Sequence, residues 1–177
     1  AASGIDYLEG TAAFMDDRCI DVAGQPYRAD YFIIATGSSP MDLPIPGAEN
    51  MLDSNAFLAL ENLPRRIVFI GGGFISFEFA HFAARIGPEH RQITILEAAD
   101  RVLGPFDADM VDLILEASMA DGIDIQTRTQ ITSIEKQKNG FLVKTGSGRV
   151  IEADLVINGA GRVPVLKALQ LDNAGIR

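Results

Sequence analysis

Three consecutive glycines, Gly71-Gly72-Gly73, separate a run of four apolar residues (Ile67-Val68-Phe69-Ile70) from an apolar stretch of helix length that starts at Phe74. Residues of these types in this order can hold a phosphate. A strand that turns tightly into a helix leaves the helix's first backbone N–H groups unpaired, beside the positive end of its dipole. Gly71 permits the sharp turn. Gly73, with no Cβ, lets a pyrophosphate approach the backbone, and the N–H groups on offer belong to the segment Gly71, Gly72, Gly73, Phe74 and Ile75. The third small position of this Gly-x-Gly-x-x-small pattern is Ser76, where Gly or Ala is usual; a Ser still allows close helix–strand packing.

Glycine turns of this kind occur in many α/β proteins, so the second half of the unit decides. Gln92-Ile93-Thr94-Ile95-Leu96 alternates as a strand does and ends on Glu97, about twenty residues past the glycines. A carboxylate at that point accepts hydrogen bonds from both hydroxyls of an adenosine ribose. A lone Glu at a strand end is ordinary solvated surface. Strand, glycines, helix, strand and acid in succession spell a dinucleotide-binding βαβ unit.

The bulk properties exclude several other classes. The 177 residues suffice for one sizeable core, or one domain and part of another. With 15 basic and 24 acidic residues the net charge is −9, and the basic residues are scattered, which argues against nucleic acid and anionic membranes as partners. No apolar run reaches the roughly 20 residues needed to span a bilayer, and no signal peptide heads the chain. The single cysteine, Cys19, cannot form an internal disulfide and reads as a small buried hydrophobe, in keeping with a reducing cytoplasm. The chain opens Ala-Ala-Ser-Gly without Met, as a processed product or an excised piece would.

Elements on either side must position the unit. Tyr7–Phe14, Cys19–Val22 and Gln25–Arg28 read as three short strands of a meander, and Tyr31–Ala35 as a strand buried on both faces. Pro40, Pro44 and Pro46 make 40–47 a stiff connector. Ser54 reads as the N-cap of a short helix, 55–61. The helix from Phe74 to Ile86 is apolar nearly all round, with Gly87-Pro88 to stop it. Asp107 can cap a helix from Ala108 to Ala120, whose Met110 and Met119 read as core filler. After a strand at 123–125 the period changes to two: 131–136, 141–145 and 149–151 alternate, and Asn139-Gly140 marks a tight hairpin. Leu155–Asn158 is again a buried strand, closing on Gly159-Ala160-Gly161. The expected fold is α/β: a Rossmann-like parallel sheet carrying an antiparallel three-stranded meander insertion. His81 and His90 read as a helix-surface and a loop residue with no metal-like partners, so no metal site is expected.

Several of these stretches together resemble the pyridine nucleotide–disulfide oxidoreductases, the flavin-dependent glutathione reductase and lipoamide dehydrogenase family. They are Ile34-Ala35-Thr36-Gly37-Ser38-Ser39-Pro40, Ile70 through Ala80, Leu103 to Asp107, and Asp154-Leu155-Val156 running to Gly161-Arg162-Val163-Pro164. The resemblance implies that residues 1–50 are the last part of an incomplete FAD domain plus connector. It makes 51–160 the NAD(P) domain and 161–177 a return toward the FAD domain. It implies FAD in the parent protein only, because the flavin Gly-rich motif, the redox Cys-x-x-x-x-Cys and the C-terminal His-Glu pair do not occur in this chain. Glu78 resembles the helix Glu that pairs with a Lys beside the flavin and touches the nicotinamide carboxamide, the catalytic candidate here. Phe74 stands where many relatives carry a gating Tyr, Thr36 and Gly37 would lie near the flavin, and Gly161 would pass close to the nicotinamide. Val165, where the family usually has Asn, departs from the pattern.

The relatives that use NADP place Arg at positions matching Ala98 and Gly104; with Glu97 in place, the resemblance implies NAD rather than NADP, Arg101 being the one basic residue nearby. The implied activity is transfer of hydride from NADH to FAD and on to a disulfide or similar acceptor, in a homodimeric parent enzyme. The piece alone is expected to be inactive and able to self-associate. A stand-alone NAD(H)-sensing module, or part of an NADH oxidase or ferredoxin reductase, would fit the same residues, and the final electron acceptor is not written in them.

Overall fold

The computed structural model describes residues 4–86 and 88–177, so the helix stop assigned to Gly87 lies outside the described residues. In chain order the strands and helices are β1 (Ala12–Asp16), β2 (Cys19–Val22), β3 (Gln25–Arg28), β4 (Ser38–Pro40), α1 (Ser54–Leu58), β5 (Arg66–Ile70), α2 (Phe74–Ile86), β6 (Gln92–Leu96), α3 (Ala108–Ala120), β7 (Ile123–Gln126), β8 (Ile131–Gln137), β9 (Gly140–Thr145), β10 (Val150–Ala153), β11 (Leu155–Asn158) and β12 (Arg162–Pro164). They fall into two compact units. One runs through Ser39 and resumes from Val163 to Arg177; the other is Pro40–Arg162.

The smaller unit is the meander β1-β2-β3, antiparallel throughout, with Phe14 opposite Ile20 and Cys19 opposite Arg28. Phe14, Cys19 and Val22 are buried, and Asn173 Nδ2 donates to Phe14 O at 2.7 Å, tying the last turns of the chain to β1. The first strand starts at Ala12, not Tyr7; Tyr7 and Leu8 are exposed. The expected strand Tyr31–Ala35 does not form. Its residues have no ladder partner among the described residues, and Ile33 is 93% exposed. An all-apolar strand is stable only when both faces and both edges are covered; here Phe32 alone packs inward, edge-on against Phe14, while Tyr31 and Ile33 are exposed.

The larger unit has three layers. Its centre is a four-stranded parallel sheet of order β11-β5-β6-β7, with Ile67 paired to both Ile93 and Leu155. Side chains alternate across it. Ile67, Phe69, Ile93, Ile95 and Ile157 face the helices, where they meet Phe77, Phe79, Ala80 and Val111. Val68, Ile70, Leu96 and Val156 face the antiparallel sheet β10-β9-β8 through Ile131, Ile134 and Val143. Positions buried on both faces of the sheet are apolar, which is why Ile67–Ile70 of β5 reads as an unbroken run, while Arg66 at its start is only half-buried. The stretch 40–50 is not free: Leu43 and Ile45 pack on the second face, and Ile134 N donates to Pro46 O at 2.9 Å.

Four local expectations are corrected. The N-cap of α1 is Asp53, whose carboxylate accepts from Ala56 N at 2.8 Å, rather than Ser54, and α1 ends at Leu58. Asp107 occupies the N-cap position of α3 but makes no side-chain cap bond; its carbonyl accepts from Val111 N instead. Met110 and Met119 are exposed, because α3 turns Val111, Leu115 and Ser118 inward. Helix α2 likewise buries one face, Ser76, Phe77, Phe79, Ala80 and Ala83, and leaves Phe82 and Ile86 exposed.

The start of β5 is pinned to β11 electrostatically. Arg66 donates through its backbone N–H to Asp154 Oδ2 (2.9 Å) and through Nε and Nη2 to Asp154 Oδ1 (3.0 and 2.5 Å), while Nη1 reaches Glu152. The guanidinium hydrogen bond holds the Asp154 carboxyl below its ordinary range, with the Arg66 backbone bond and the charges of Arg66 and Arg65 adding to it and burial opposing. A carboxylate depressed in the folded state stabilises above its unfolded pKa and loses that contribution as pH falls through the folded value. Asp154→Asn should therefore cost about 1–2 kcal/mol at pH 7. The cost should shrink progressively below about pH 4, as read by urea unfolding across that range.

Candidate functional site

Gly71 follows β5 with φ +97°, a conformation side-chain-bearing residues rarely adopt, and its N–H donates to Leu96 O (2.8 Å) at the end of β6. A methyl group there would lie 2.5 Å from Ala160 Cα and from Gly159 O, both backbone. Gly72 is closed from the other side, where a Cβ would meet Val102 Cγ1 at 2.6 Å. Gly73 differs. The nearest atom to a Cβ at this position is Gly159 O at 3.6 Å, an ordinary contact, so the fold itself does not require glycine there. Gly73 instead borders a cavity of about 320 Å³ lined also by Gly71, Gly72, Phe74, Glu97, Arg101 and Gly161.

Glu97 is fixed before any ligand arrives. Its Oε2 accepts from Gly72 N (2.5 Å) and its Oε1 from Ala99 N (2.7 Å), while its own N–H donates to Gln126 O on β7. The N–H groups of Gly71 and Gly72 are thus consumed inside the protein. Those that open α2 have no intrahelical acceptor until Phe77 N reaches Gly73 O. The loop after β6 folds back over the turn: Val102 is buried, Leu103 N donates to Gly72 O (2.8 Å), and Leu103 takes φ +49° to do so. A second cavity of about 380 Å³ shares Gly71, Glu97 and Ala160 with the first and has an apolar wall of Leu43, Ile45, Leu96 and Ile131.

Ser76 is fully buried, and its Oγ has no hydrogen-bond partner among the described residues. A Cβ on Gly159 would fall 2.0 Å from that oxygen. The bulk added at the third fingerprint position is accommodated by glycine at the facing end of β11. In the sequence Gly159 reads only as part of the strand-ending Gly159-Ala160-Gly161 run; its role as the facing partner of Ser76 is visible only in three dimensions.

The structure brings Gly71, Gly72, Gly73, Phe74, Glu97 and Gly161 to one cavity. Ile75 is half-buried against the helix-side core rather than lining it. Glu78 is exposed one turn along α2 and borders a separate shallow groove with His81 and Arg85. Thr36 and Gly37 belong to the smaller unit, where Thr36 Oγ1 donates to Val165 O (2.7 Å) and Val165 N to Gly37 O (3.0 Å). His81 is not a free surface residue: its ring nitrogens lie 3.1 Å from Asp121 Oδ2 and 3.0 Å from Ser118 Oγ. That Ser–His–Asp order is not a nucleophile's, since Ser118 is fully buried and its hydroxyl donates to Ile114 O within the helix.

The chain belongs to the pyridine nucleotide-disulphide oxidoreductase family, matching it over residues 1–177. It is 34% identical to the dihydrolipoyl dehydrogenase of Bacillus subtilis over 97% of this chain and 38% of that one. It is 32% identical to the mercuric reductase of Staphylococcus aureus over 98% and 32% respectively. Among solved structures it is similar to the HOCl-induced flavoprotein disulfide reductase RclA from Escherichia coli, with a TM-score of 0.81, 31% identity and coverage of 97% of this chain and 40% of that one. The chain thus spans about two fifths or less of the length of these relatives. Among the described residues no helix is long and apolar enough to cross a membrane.

Two substitutions test the packing of the turn. Gly71→Ala should destabilise by about 2 kcal/mol or more, from backbone strain and overlap with Ala160. Ser76→Ala, which removes an orphaned buried hydroxyl, should be neutral or stabilise by up to about 1 kcal/mol. Chemical denaturation reads both, and a Ser76→Ala protein that loses stability would show that the hydroxyl has a partner.

Proposed function

We propose that this chain is the NAD(H)-binding part of an FAD-dependent oxidoreductase, in which hydride passes from NADH to FAD and on to a disulfide or a similar acceptor. The observation that carries the reading is Gly73: the one glycine of the turn with no packing reason to be glycine directly precedes α2 and lines the same cavity as Glu97. Close approach of a pyrophosphate supplies the missing reason.

In this reading the N–H groups of Gly73, Phe74 and Ile75 hold the pyrophosphate, helped by the helix dipole. Gly71 and Gly72 act by shaping the turn. Glu97 has lone pairs left after its two backbone bonds, and these accept the ribose hydroxyls; a 2′-phosphate would meet its negative charge, which favours NAD over NADP. The apolar cavity beyond Glu97, with Leu96 and Ile131, suits a flat adenine. Gly161 and Phe74 flank the nicotinamide end, and Glu78 on α2 orients the carboxamide. The bound dinucleotide supplies the hydride; the chain's residues bind and orient it. Thr36 and Gly37, in the smaller unit, serve the flavin of the whole protein, which is a homodimer.

Calorimetric titration should show NADH binding at least about fivefold more tightly than NADPH. Gly73→Ala should leave the melting temperature unchanged or slightly raised while weakening NADH about tenfold or more, because the methyl group enters ligand space and not the core. If NADH affinity survives that substitution, the pyrophosphate does not lie over the turn and the reading fails.

A further inference from the structure

Arg101 is the remaining charged group of the cavity. Of the residues that line it, only Glu97 and Arg101 are ionisable. Among the described residues no carboxylate lies within ion-pair distance of the Arg101 guanidinium, which instead donates to two backbone carbonyls of its own loop, Gly104 O (3.4 Å) and Phe106 O. Other arginines, Arg65 and Arg91 among them, also bond to backbone carbonyls and, among the described residues, to no acid; Arg101 differs in lining the cavity with Glu97.

Its position follows from the loop. Buried Val102 packs against Gly72, and Leu103 N is bonded to Gly72 O at the expense of a left-handed backbone. The residue before this pair is therefore held above the glycine turn. A dinucleotide would bring two negative charges to a cavity that already holds the Glu97 carboxylate, against the partial positive charge of one helix end. A full cation beside the helix end would improve that balance.

Resting on the dinucleotide reading above, we propose that Arg101 is a further binding residue: its guanidinium leaves one or both loop carbonyls and takes an oxygen of the pyrophosphate. The bonds it gives up are exposed, so water replaces them at little cost. The bond it gains joins a guanidinium to a phosphate, the stronger kind. The adenosine end is read by Glu97; Arg101 adds affinity for the charged middle of the ligand, whichever pyridine dinucleotide is offered.

The test is titration of the intact chain with NADH and NADPH at low and moderate salt, for wild type, Arg101→Gln and Arg101→Lys. Arg101→Gln should weaken both dinucleotides about tenfold or more and flatten the salt dependence, while Arg101→Lys, which keeps the charge but not the two-carbonyl fork, should stay within about threefold of wild type. Three results would overturn the assignment. Unchanged affinity in Arg101→Gln removes the contact. Equal loss in both variants shows that the residue only clamps its loop. A loss confined to NADPH moves the contact to the 2′-phosphate. A wild-type chain that binds neither dinucleotide, while folded by circular dichroism, brings down the dinucleotide reading itself and this inference with it.

Discussion

The larger unit depends on one close approach of backbones, where the turn after β5 meets the end of β11. No Cβ fits at Gly71 against Gly159 and Ala160, and none fits at Gly159 against Ser76. This contact sets how near α2 stands to the sheet. The depth to which Phe77, Phe79 and Ala80 reach into the helix-side core follows from it, and so does where the helix's unpaired N–H groups point. The positional requirement is shared across the two segments. Where the fingerprint carries a Ser, the opposing strand end carries a Gly, and total volume is conserved at the cost of one unsatisfied hydroxyl.

Glu97 converts that packing into a preorganised site. By accepting from Gly72 N and Ala99 N it joins the glycine turn to the loop after β6, and Leu103 closes the same ring through Gly72 O. A ligand that binds there finds donors and acceptors already oriented, so less conformational freedom is lost on binding. The same two bonds make Glu97 structural as well as cavity-lining, and its replacement would disturb the turn along with the cavity wall.

What was legible in the sequence was whatever local chemistry dictates. The strand–glycine–helix–strand–acid order, the Asn139-Gly140 hairpin and the apolar runs of β5 and β11 follow from φ requirements and from burial on two faces, and the structure forms all of them. What was not legible depends on which neighbours are present. Tyr31–Ala35 has a strand's composition and no strand beside it. Met110 and Met119 share a helical period with Val111, yet the period alone does not say which side of a broad stripe turns inward. Asp53 and Ser54 are both capping residue types one position apart, and only the bond to Ala56 N separates them. His81 reads as surface until Ser118 and Asp121, on a helix far along the chain, come to meet it.

The sheet order also governs how the chain reaches its folded form. The central strand β5 has β6 on one edge and β11 on the other, and Arg66 and Asp154, which lock the second pairing, lie 88 residues apart in sequence. Pairings of that span are slow to find, whereas β8, β9 and β10 close through short turns and form early. On a ribosome β5 emerges first and waits with one apolar edge unpaired until β11 follows it, an interval in which Ile67, Val68 and Phe69 are open to the wrong partner.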